Sequence, residues 1–270
     1  MMTTPKLIIF TDLDGTLLDE ETHRFDDAQP ALRSLTQRGI PLILVSSKTR
    51  AEIEKARETL ENRHPFVSEN GGAIFVPKTY FSFPFPHQKE SDKYLILELG
   101  IPYAQVLKNF RSIQEETGLP MKGFSDFTPE ELAFSLHLTL EEATLAKQRE
   151  YDEPFVIQSD VEQIETIKRK IEEKGMAYSW GGRLHHLHGR NDKGKVVRIL
   201  KELYENEFLS VHTVAIGDSL NDVPMFAAVD HPILLVGGQD VLSHFSLDNL
   251  TTYQGQGPHA WNEVTLGLLK

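Results

Sequence analysis

The stretch Leu7–Leu18, LIIFTDLDGTLL, decides the fold. Its first four residues are all apolar, as expected of a strand covered by helices on both faces, and Asp12 and Asp14 follow closely. Open α/β sheets bind their ligands at the carboxyl ends of the strands, where these two aspartates fall. Asp and Gly also form ordinary turns. The aspartates therefore indicate a site only if the chain supplies partners for two carboxylates that repel each other.

The segments around this stretch alternate between strands and helices, which predicts a parallel sheet. Pro41–Val45 and Val211–Ile216 are further apolar strands, and capping-box patterns predict helix starts after Thr49, Thr128 and Thr139. The alternation stops near Pro84 and returns at Lys193. We predict an α/β protein with a Rossmann-like parallel sheet core and an inserted α+β cap domain. The core is assigned residues 1–84 and 189–270, the cap residues 85–188, and the crossings Pro84–Lys93 and His188–Asp192.

Composition limits the function. The chain has 270 residues, a net charge of −12 and no cysteine. The acidic balance disfavours nucleic acid or an anionic membrane as a partner, and an anionic ligand would need a local cation. Without cysteine, disulfides and thiolate chemistry are excluded. The N-terminus lacks a signal-peptide layout, and no apolar run approaches the roughly 20 residues that span a bilayer, so we expect a soluble cytoplasmic protein.

Polar residues follow three of the predicted apolar strands. Asp12 and Asp14 follow the first, Ser46 the second, and Asp218 with Asp222 the third. Each group alone is explained as a helix cap, but in a parallel sheet all three lie at one edge and predict a shared site. Clustered carboxylates need a hard cation, and Mg²⁺ is the expected one. Calcium is the alternative, although the sequence has no regular EF-hand loop.

Four motifs carry a resemblance to a known family. DLDGT at Asp12–Thr16, the strand-terminal Ser46, Lys193 at a helix start and GDSLND at Gly217–Asp222 resemble, in order, the four motifs of the haloacid dehalogenase superfamily of phosphatases. The resemblance implies that Asp12 attacks phosphorus to form an aspartyl-phosphate, while Asp14 acts as general acid and base.

The resemblance also implies two binding sets. The phosphoryl group would be held by Ser46, Ser47 and Lys193, with Lys195 as the neighbouring alternative to that lysine. The Mg²⁺ ligands would be Asp12, Asp14 through its backbone carbonyl, Asp218 and Asp222, with Asn221 in support.

Three further stretches resemble the family members that carry a C2B-type cap and act on a phosphorylated sugar-glycerate: Val45–Arg50, Leu145–Phe155 and Gly181–Gly189. This implies hydrolysis of mannosyl-3-phosphoglycerate to phosphate and mannosylglycerate, a compatible solute. Arg183 is a candidate for the substrate carboxylate, Glu69 and Asn70 for sugar hydroxyls, and Lys48 for the phosphate. A surface arginine, a tight turn and a solvated lysine are the structural alternatives.

Several interpretations stay open at this point. The substrate alternatives are a glucosyl analogue or a free hexose phosphate, and the functional alternatives are a phosphomutase or a non-catalytic ligand sensor. Zinc binding, substrate contact and strand packing are all possible for the three neighbouring histidines, His185, His186 and His188. Arg149 and Asp152 have the spacing of a surface ion pair on a helix.

Overall fold

The computed structural model describes residues 5–158, 160–181, 183–237 and 247–270. Gly182, predicted to help join two strands of the insert, lies outside the described residues. The described strands are β1 (Lys6–Thr11), β2 (Leu42–Val45), β3 (Phe66–Ser68), β4 (Ala73–Pro77), β5 (Lys89–Glu90), β6 (Tyr94–Glu98), β7 (Met121–Gly123), β8 (Asp152–Ile157), β9 (Ala177–Trp180), β10 (His185–His188), β11 (Val211–Gly217), β12 (His231–Val236) and β13 (Thr251–Gln254). The described helices are α1 (Gln29–Gln37), α2 (Arg50–Thr59), α3 (Tyr103–Thr117), α4 (Pro129–Leu136), α5 (Leu140–Ala146), α6 (Val161–Glu173), α7 (Lys193–Glu207), α8 (Val223–Phe226) and α9 (Gly257–Leu268).

The larger sheet has the strand order β13-β12-β11-β1-β2-β3-β4-β6-β5. From β13 to β3 all neighbours are parallel, and the pairs beyond β3 are antiparallel. β1 lies between β2 and β11, so the carboxyl ends of these three strands are adjacent. The predicted edge of polar groups therefore exists.

Apolar side chains cover both faces of this sheet. Along β1, Ile9 packs into one buried cluster while Ile8 and Phe10 pack into another. Trp261 of α9 belongs to the first cluster and Leu200 of α7 to the second. Helices on both faces explain why the strand sequences are continuously apolar rather than alternating.

The predicted start of the insert is wrong. The sequence predicts residues 85–188 for the cap, but β5 and β6 pair with each other and β6 pairs with β4 of the large sheet. The chain therefore leaves this sheet after Glu98, and the segment Pro84–Lys93 is not the crossing. Sequence periodicity missed β5 because it has two exposed residues. The other boundary, between residues 188 and 189, stays a prediction.

The insert forms an antiparallel sheet of its own, in the order β7-β8-β10-β9. Helices α3 and α6 cover it through Phe110 and Ile171, which pack with Phe155 of β8. A second cluster joins α4 to α5 and includes Leu132 and Ala143. The predicted α+β character of the insert agrees with these layers.

The three predicted capping boxes are present. The side chains of Thr49, Thr128 and Thr139 each accept a backbone N–H in the first turn of α2, α4 and α5. Among the helices described, none combines the length and the apolar character that a membrane crossing needs.

Candidate active site

The tips of β1 and β11 meet through a glycine. A Cβ atom on Gly15 would lie 2.5 Å from Asp218 Oδ2, and the φ angle of this residue is +71°. Both conditions require glycine. Next to it, Thr16 Oγ1 donates a hydrogen bond of 2.8 Å to Asp218 Oδ1. The DLDGT motif therefore docks directly against the GDSLND motif.

Three aspartates gather at this junction. Ligand oxygens of Asp12, Asp218 and Asp222 lie within 4.8 Å of one another. Burial raises the pKa of Asp12 to about 7 against the opposing effect of Lys193. Burial, and then repulsion from Asp222 and Asp12, raises the pKa of Asp218 well above its usual value. A cluster of carboxylate oxygens with excess negative charge fits a hard divalent cation.

Lys193 lies beneath this cluster with its side chain fully buried. Its Nζ is 2.9 Å from Asp12 Oδ2 and 2.7 Å from Asp222 Oδ1. Burial alone would lower the pKa of the lysine, but the two aspartates outweigh it and raise the pKa. Lys193 is therefore charged in the site, whereas Lys195 pairs with Asp192 nearer the surface. The structure favours Lys193 over the alternative.

Asp14 lines the same cleft as Asp12 and Asp218, but its side chain has partners of its own. Its Oδ2 is 3.0 Å from Lys48 Nζ, and its Oδ1 is 3.3 Å from Nδ1 of His23. Burial would raise the pKa of Asp14, but Lys48 and His23 outweigh burial and lower it. The predicted role of Asp14 in metal binding was assigned to its backbone carbonyl, and it stays a prediction. His23 was missed because nothing in its local sequence links it to Asp14.

Two serines follow β2. Ser46 is buried, and its Oγ accepts the backbone N–H of Lys48 at 3.2 Å. Ser47 instead lines the cleft above the aspartates. Both lie just before α2, which begins at Arg50.

A cleft between the two sheets covers the site. The core contributes Asp12, Asp14, Ser47, Lys48 and Asp218 to its lining, and the insert contributes Arg149, Arg183 and His186. Arg183 is an exposed residue between β9 and β10, rather than a strand residue as predicted, and one of its nitrogens is 3.5 Å from the carbonyl oxygen of Leu136. Arg183 lines the cleft, and its contact to the substrate carboxylate stays a prediction.

The prediction that Glu69 binds sugar hydroxyls is wrong in this structure. The residue is fully buried, and its carboxylate accepts the backbone N–H groups of Glu150, Tyr151 and Asp152 at 2.8–3.2 Å. Burial raises its pKa to about 8, while Arg149 opposes this shift. Glu69 thus ties the β3–β4 turn to the insert, a role that its neighbours in sequence do not reveal.

Asn70 is also withdrawn from direct sugar contact. It is buried, its Nδ2 donates to Asp152 Oδ2 at 3.1 Å, and its Oδ1 accepts from Asn221 Nδ2 at 3.2 Å. Both of its polar groups are therefore occupied. Glu69 and Asn70 have φ angles of +49° and +54°, so the predicted tight turn is present.

Arg149 is a residue of the cleft whose environment the sequence leaves open. Its spacing to Asp152 allows a surface ion pair, but the Arg149 side chain is only 4% exposed. Its Nη1 donates 2.8 Å to the carbonyl oxygen of Ser47, across the cleft. The one signal was its position in a stretch that resembles the family.

The three histidines of β10 have separate partners. His185 contacts Tyr178 OH at 2.7 Å, His186 contacts Asp152 at 2.8 Å, and His188 contacts the Gly189 carbonyl oxygen at 2.8 Å. In the part of the chain that the structure describes, no group able to hold a metal includes them. The zinc interpretation finds no support here.

Comparison with known proteins agrees with this geometry. The model of the haloacid dehalogenase-like hydrolase family matches residues 9–246. The chain belongs to the haloacid dehalogenase-like hydrolases. The predicted membership and the α/β fold class are thereby confirmed.

Among curated members of this hydrolase family, a protein of Methanococcoides burtonii named glucosyl-3-phosphoglycerate/mannosyl-3-phosphoglycerate phosphatase is 43% identical over 98% of this chain and 97% of its own. The mannosyl-3-phosphoglycerate phosphatase of Pyrococcus furiosus is 36% identical over 91% and 96%.

Solved structures share the fold. A Thermoplasma acidophilum protein superposes with a TM-score of 0.70 at 19% identity, covering 98% of this chain and 99% of that one. A sugar phosphatase of subclass IIB gives a TM-score of 0.62 at 18% identity, covering 97% of both chains. At these identities the likeness concerns the fold alone.

Proposed function

We propose that this hydrolase is a Mg²⁺-dependent phosphatase that converts mannosyl-3-phosphoglycerate to mannosylglycerate and phosphate. The observation that carries the proposal is the cluster of Asp12, Asp218 and Asp222, with Lys193 paired to Asp12 and Asp222 and with Asp14 lining the same cleft. The substrate is supported by the names of the relatives, whose sequences align with nearly the whole chain. A glucosyl-3-phosphoglycerate is the second candidate substrate, because the relative at 43% identity carries both names.

The chain's own residues divide the work of phosphoryl transfer. Asp12 is the proposed nucleophile, and the Leu13 backbone N–H holds its Oδ1 at 2.7 Å. Its carboxylate attacks phosphorus as the leaving alkoxide departs, which gives an aspartyl-phosphate. Lys193 offsets negative charge beside Asp12, and Ser46 and Ser47 are proposed to hold phosphoryl oxygens. Such positioning and charge neutralisation account for most of the catalysis in this class of reaction.

Asp14 is proposed to protonate the leaving oxygen and then to take a proton from the attacking water. Its pairing with Lys48 and His23 favours the ionised carboxylate in the free protein. An anionic phosphoryl group attracts Lys48, which weakens that pairing and raises the pKa of Asp14. Substrate binding therefore prepares the acid.

Asp12, Asp218 and Asp222 would hold the metal, with the backbone carbonyl of Asp14 and the side chain of Asn221 in support. Bound Mg²⁺ would neutralise the phosphoryl group and orient it. The carboxylates fit such an ion because burial, and then repulsion from Asp222 and Asp12, already raises the pKa of Asp218.

The test is a substrate panel, measured with Mg²⁺ and with EDTA. We expect kcat/KM to be highest for the two glycosyl-3-phosphoglycerates and to vanish in EDTA. A free hexose phosphate with a higher kcat/KM would contradict the substrate assignment. Product analysis separates the alternatives, because a phosphomutase returns an isomerised sugar phosphate and a sensor returns nothing.

Asp12→Asn should abolish phosphate release and leave the protein folded, because the amide is not a nucleophile. Asp26→Asn is the control, since Asp26 has a side chain 68% exposed. Turnover retained by the Asp12 variant would remove this residue from the nucleophile role.

A further inference from the structure

A series of hydrogen bonds between buried polar side chains connects the loop that carries Asp222 to the sheet of the insert. Asn221 donates to Asn70 at 3.2 Å, Asn70 donates to Asp152 at 3.1 Å, and Asp152 contacts His186 at 2.8 Å. The first two residues belong to the core and the last two to β8 and β10. The series ends at an imidazole that lines the cleft above Asp12.

The contact with Asp152 fixes the orientation of this imidazole. His186 Nδ1 and Asn70 Nδ2 approach the same oxygen, Oδ2 of Asp152. Burial would raise the pKa of Asp152, but His186 and then Arg149 outweigh burial and lower it. The carboxylate is therefore ionised and accepts both bonds, so that Nδ1 of His186 carries a proton. Nε2 is left as the atom available to another partner.

The surroundings of Nε2 are open on the cleft side. A Cβ atom on Gly181 would lie 3.7 Å from Nε2 and 3.4 Å from Asn221 Nδ2, so glycine keeps this space free of a side chain. Among the residues that the structure describes, none forms a hydrogen bond with Nε2. A ring nitrogen of fixed direction on a buried side chain, unpartnered among the described residues and facing a cleft, is a ready ligand contact.

We propose that His186 Nε2 binds a hydroxyl group of the sugar-glycerate portion of the substrate, and that Asp152 is the positioning residue for this imidazole. The proposal rests on the proposed function and deepens it. Arg183, in the same cleft, is left for the substrate carboxylate. Because His186 contacts a part of the substrate that does not react, it affects substrate choice rather than the chemical step.

The test compares mannosyl-3-phosphoglycerate with p-nitrophenyl phosphate, which lacks the sugar and the glycerate. The variant is His186→Asn, because the asparagine amide can keep the bond to Asp152 while Nε2 is lost. The matched control is His185→Asn, on the same strand, where the native ring contacts Tyr178 rather than the cleft. Thermal unfolding checks that both variants fold.

We expect His186→Asn to raise KM for mannosyl-3-phosphoglycerate about three- to tenfold, as for one lost hydrogen bond, with a smaller change in kcat. Its kcat/KM for p-nitrophenyl phosphate should stay within about twofold of wild type. His185→Asn should change neither substrate. Asp152→Ala should raise the same KM, and combining it with His186→Asn should add nothing further if Asp152 acts through the imidazole.

An unchanged KM in His186→Asn, or an equal loss with both substrates, would overturn the proposal. Additive effects in the double variant would remove the positioning role of Asp152. If the wild-type protein releases phosphate from p-nitrophenyl phosphate but from neither glycosyl-3-phosphoglycerate, the proposed function falls and this inference falls with it. If wild type uses those substrates and the variant equals it, only this inference fails.

Discussion

Lys193→Met should strongly destabilise the metal-free protein. The side chain is fully buried, and its ammonium lies 2.9 Å from Asp12 and 2.7 Å from Asp222. Its loss leaves three clustered carboxylates without the ammonium that offsets their charge. Removing one partner of a buried ion pair costs about 3–5 kcal/mol. For a chain of this size the melting temperature should fall by on the order of 10 °C.

The melting temperature should be measured at pH 8, first in EDTA and then in saturating Mg²⁺. At lower pH the repulsion is relieved, since the pKa of Asp12 is already raised to about 7 in the wild-type protein. A cation bound by the same carboxylates supplies the missing positive charge. The gap between Lys193→Met and wild type should therefore be largest in EDTA and narrower in Mg²⁺.

Lys195→Met is the matched control. Lys195 is close in sequence, but its side chain is 46% exposed and its Nζ lies 3.6 Å from Asp192. Exposed ion pairs contribute only about 0–1 kcal/mol. If both variants had the melting temperature of wild type in EDTA, Lys193 would not be offsetting buried charge. If Mg²⁺ did not change the difference in melting temperature between Lys193→Met and wild type, the lysine would not act on the proposed metal site.

Three further predictions concern stability. Burial lowers the pKa of His64 to about 4. Between pH 6.5 and 4 the imidazole is therefore protonated in the unfolded chain but neutral in the folded one. As the pH is lowered through this window, the free energy of unfolding should fall by at most about 3 kcal/mol. In urea titrations His64→Gln should show a smaller dependence of this free energy on pH. Gly71→Ala should destabilise the protein by several times the roughly 1 kcal/mol expected of Gly118→Ala. The Cβ added at Gly71 would lie 2.4 Å from the Asp192 carbonyl oxygen, whereas Gly118 faces open space. Equal urea midpoints for the two variants would contradict this prediction. Glu69→Ala should lower stability by about 2–4 kcal/mol, since three backbone N–H groups lose their acceptor, and an unchanged melting curve would mean that water replaces it.

The fold is predictable from the sequence where short-range patterns control the structure. The apolar residues of β1 are continuous because helices cover both faces of the sheet, and this is legible without coordinates. Thr49 and Thr139 cap helices through residues only three positions away. The aspartates at the strand ends were brought together by the rule that parallel strands end at one edge.

The failures concern partners that are distant in the chain. The local spacing of Arg149 allows a helical surface pair with Asp152, yet its hydrogen-bond acceptor is the carbonyl oxygen of Ser47. Glu69 and Asn70 were expected to meet substrate, but backbone groups and side chains of the insert occupy them. No periodicity or motif encodes such pairings, so only the fold reveals them.

The docking of Gly15 against Asp218 has a consequence for synthesis of the protein. β1 is made first, but its neighbour β11 begins at Val211, so the centre of the large sheet is incomplete until most of the chain exists. The insert is contiguous and closes its own sheet from β7 to β10. Since long-range parallel pairing is slow, we expect the insert to fold during synthesis on the ribosome, before the core folds. A chain truncated before Asp218 would lack two of the three clustered aspartates, Asp218 and Asp222, however well its other parts had folded.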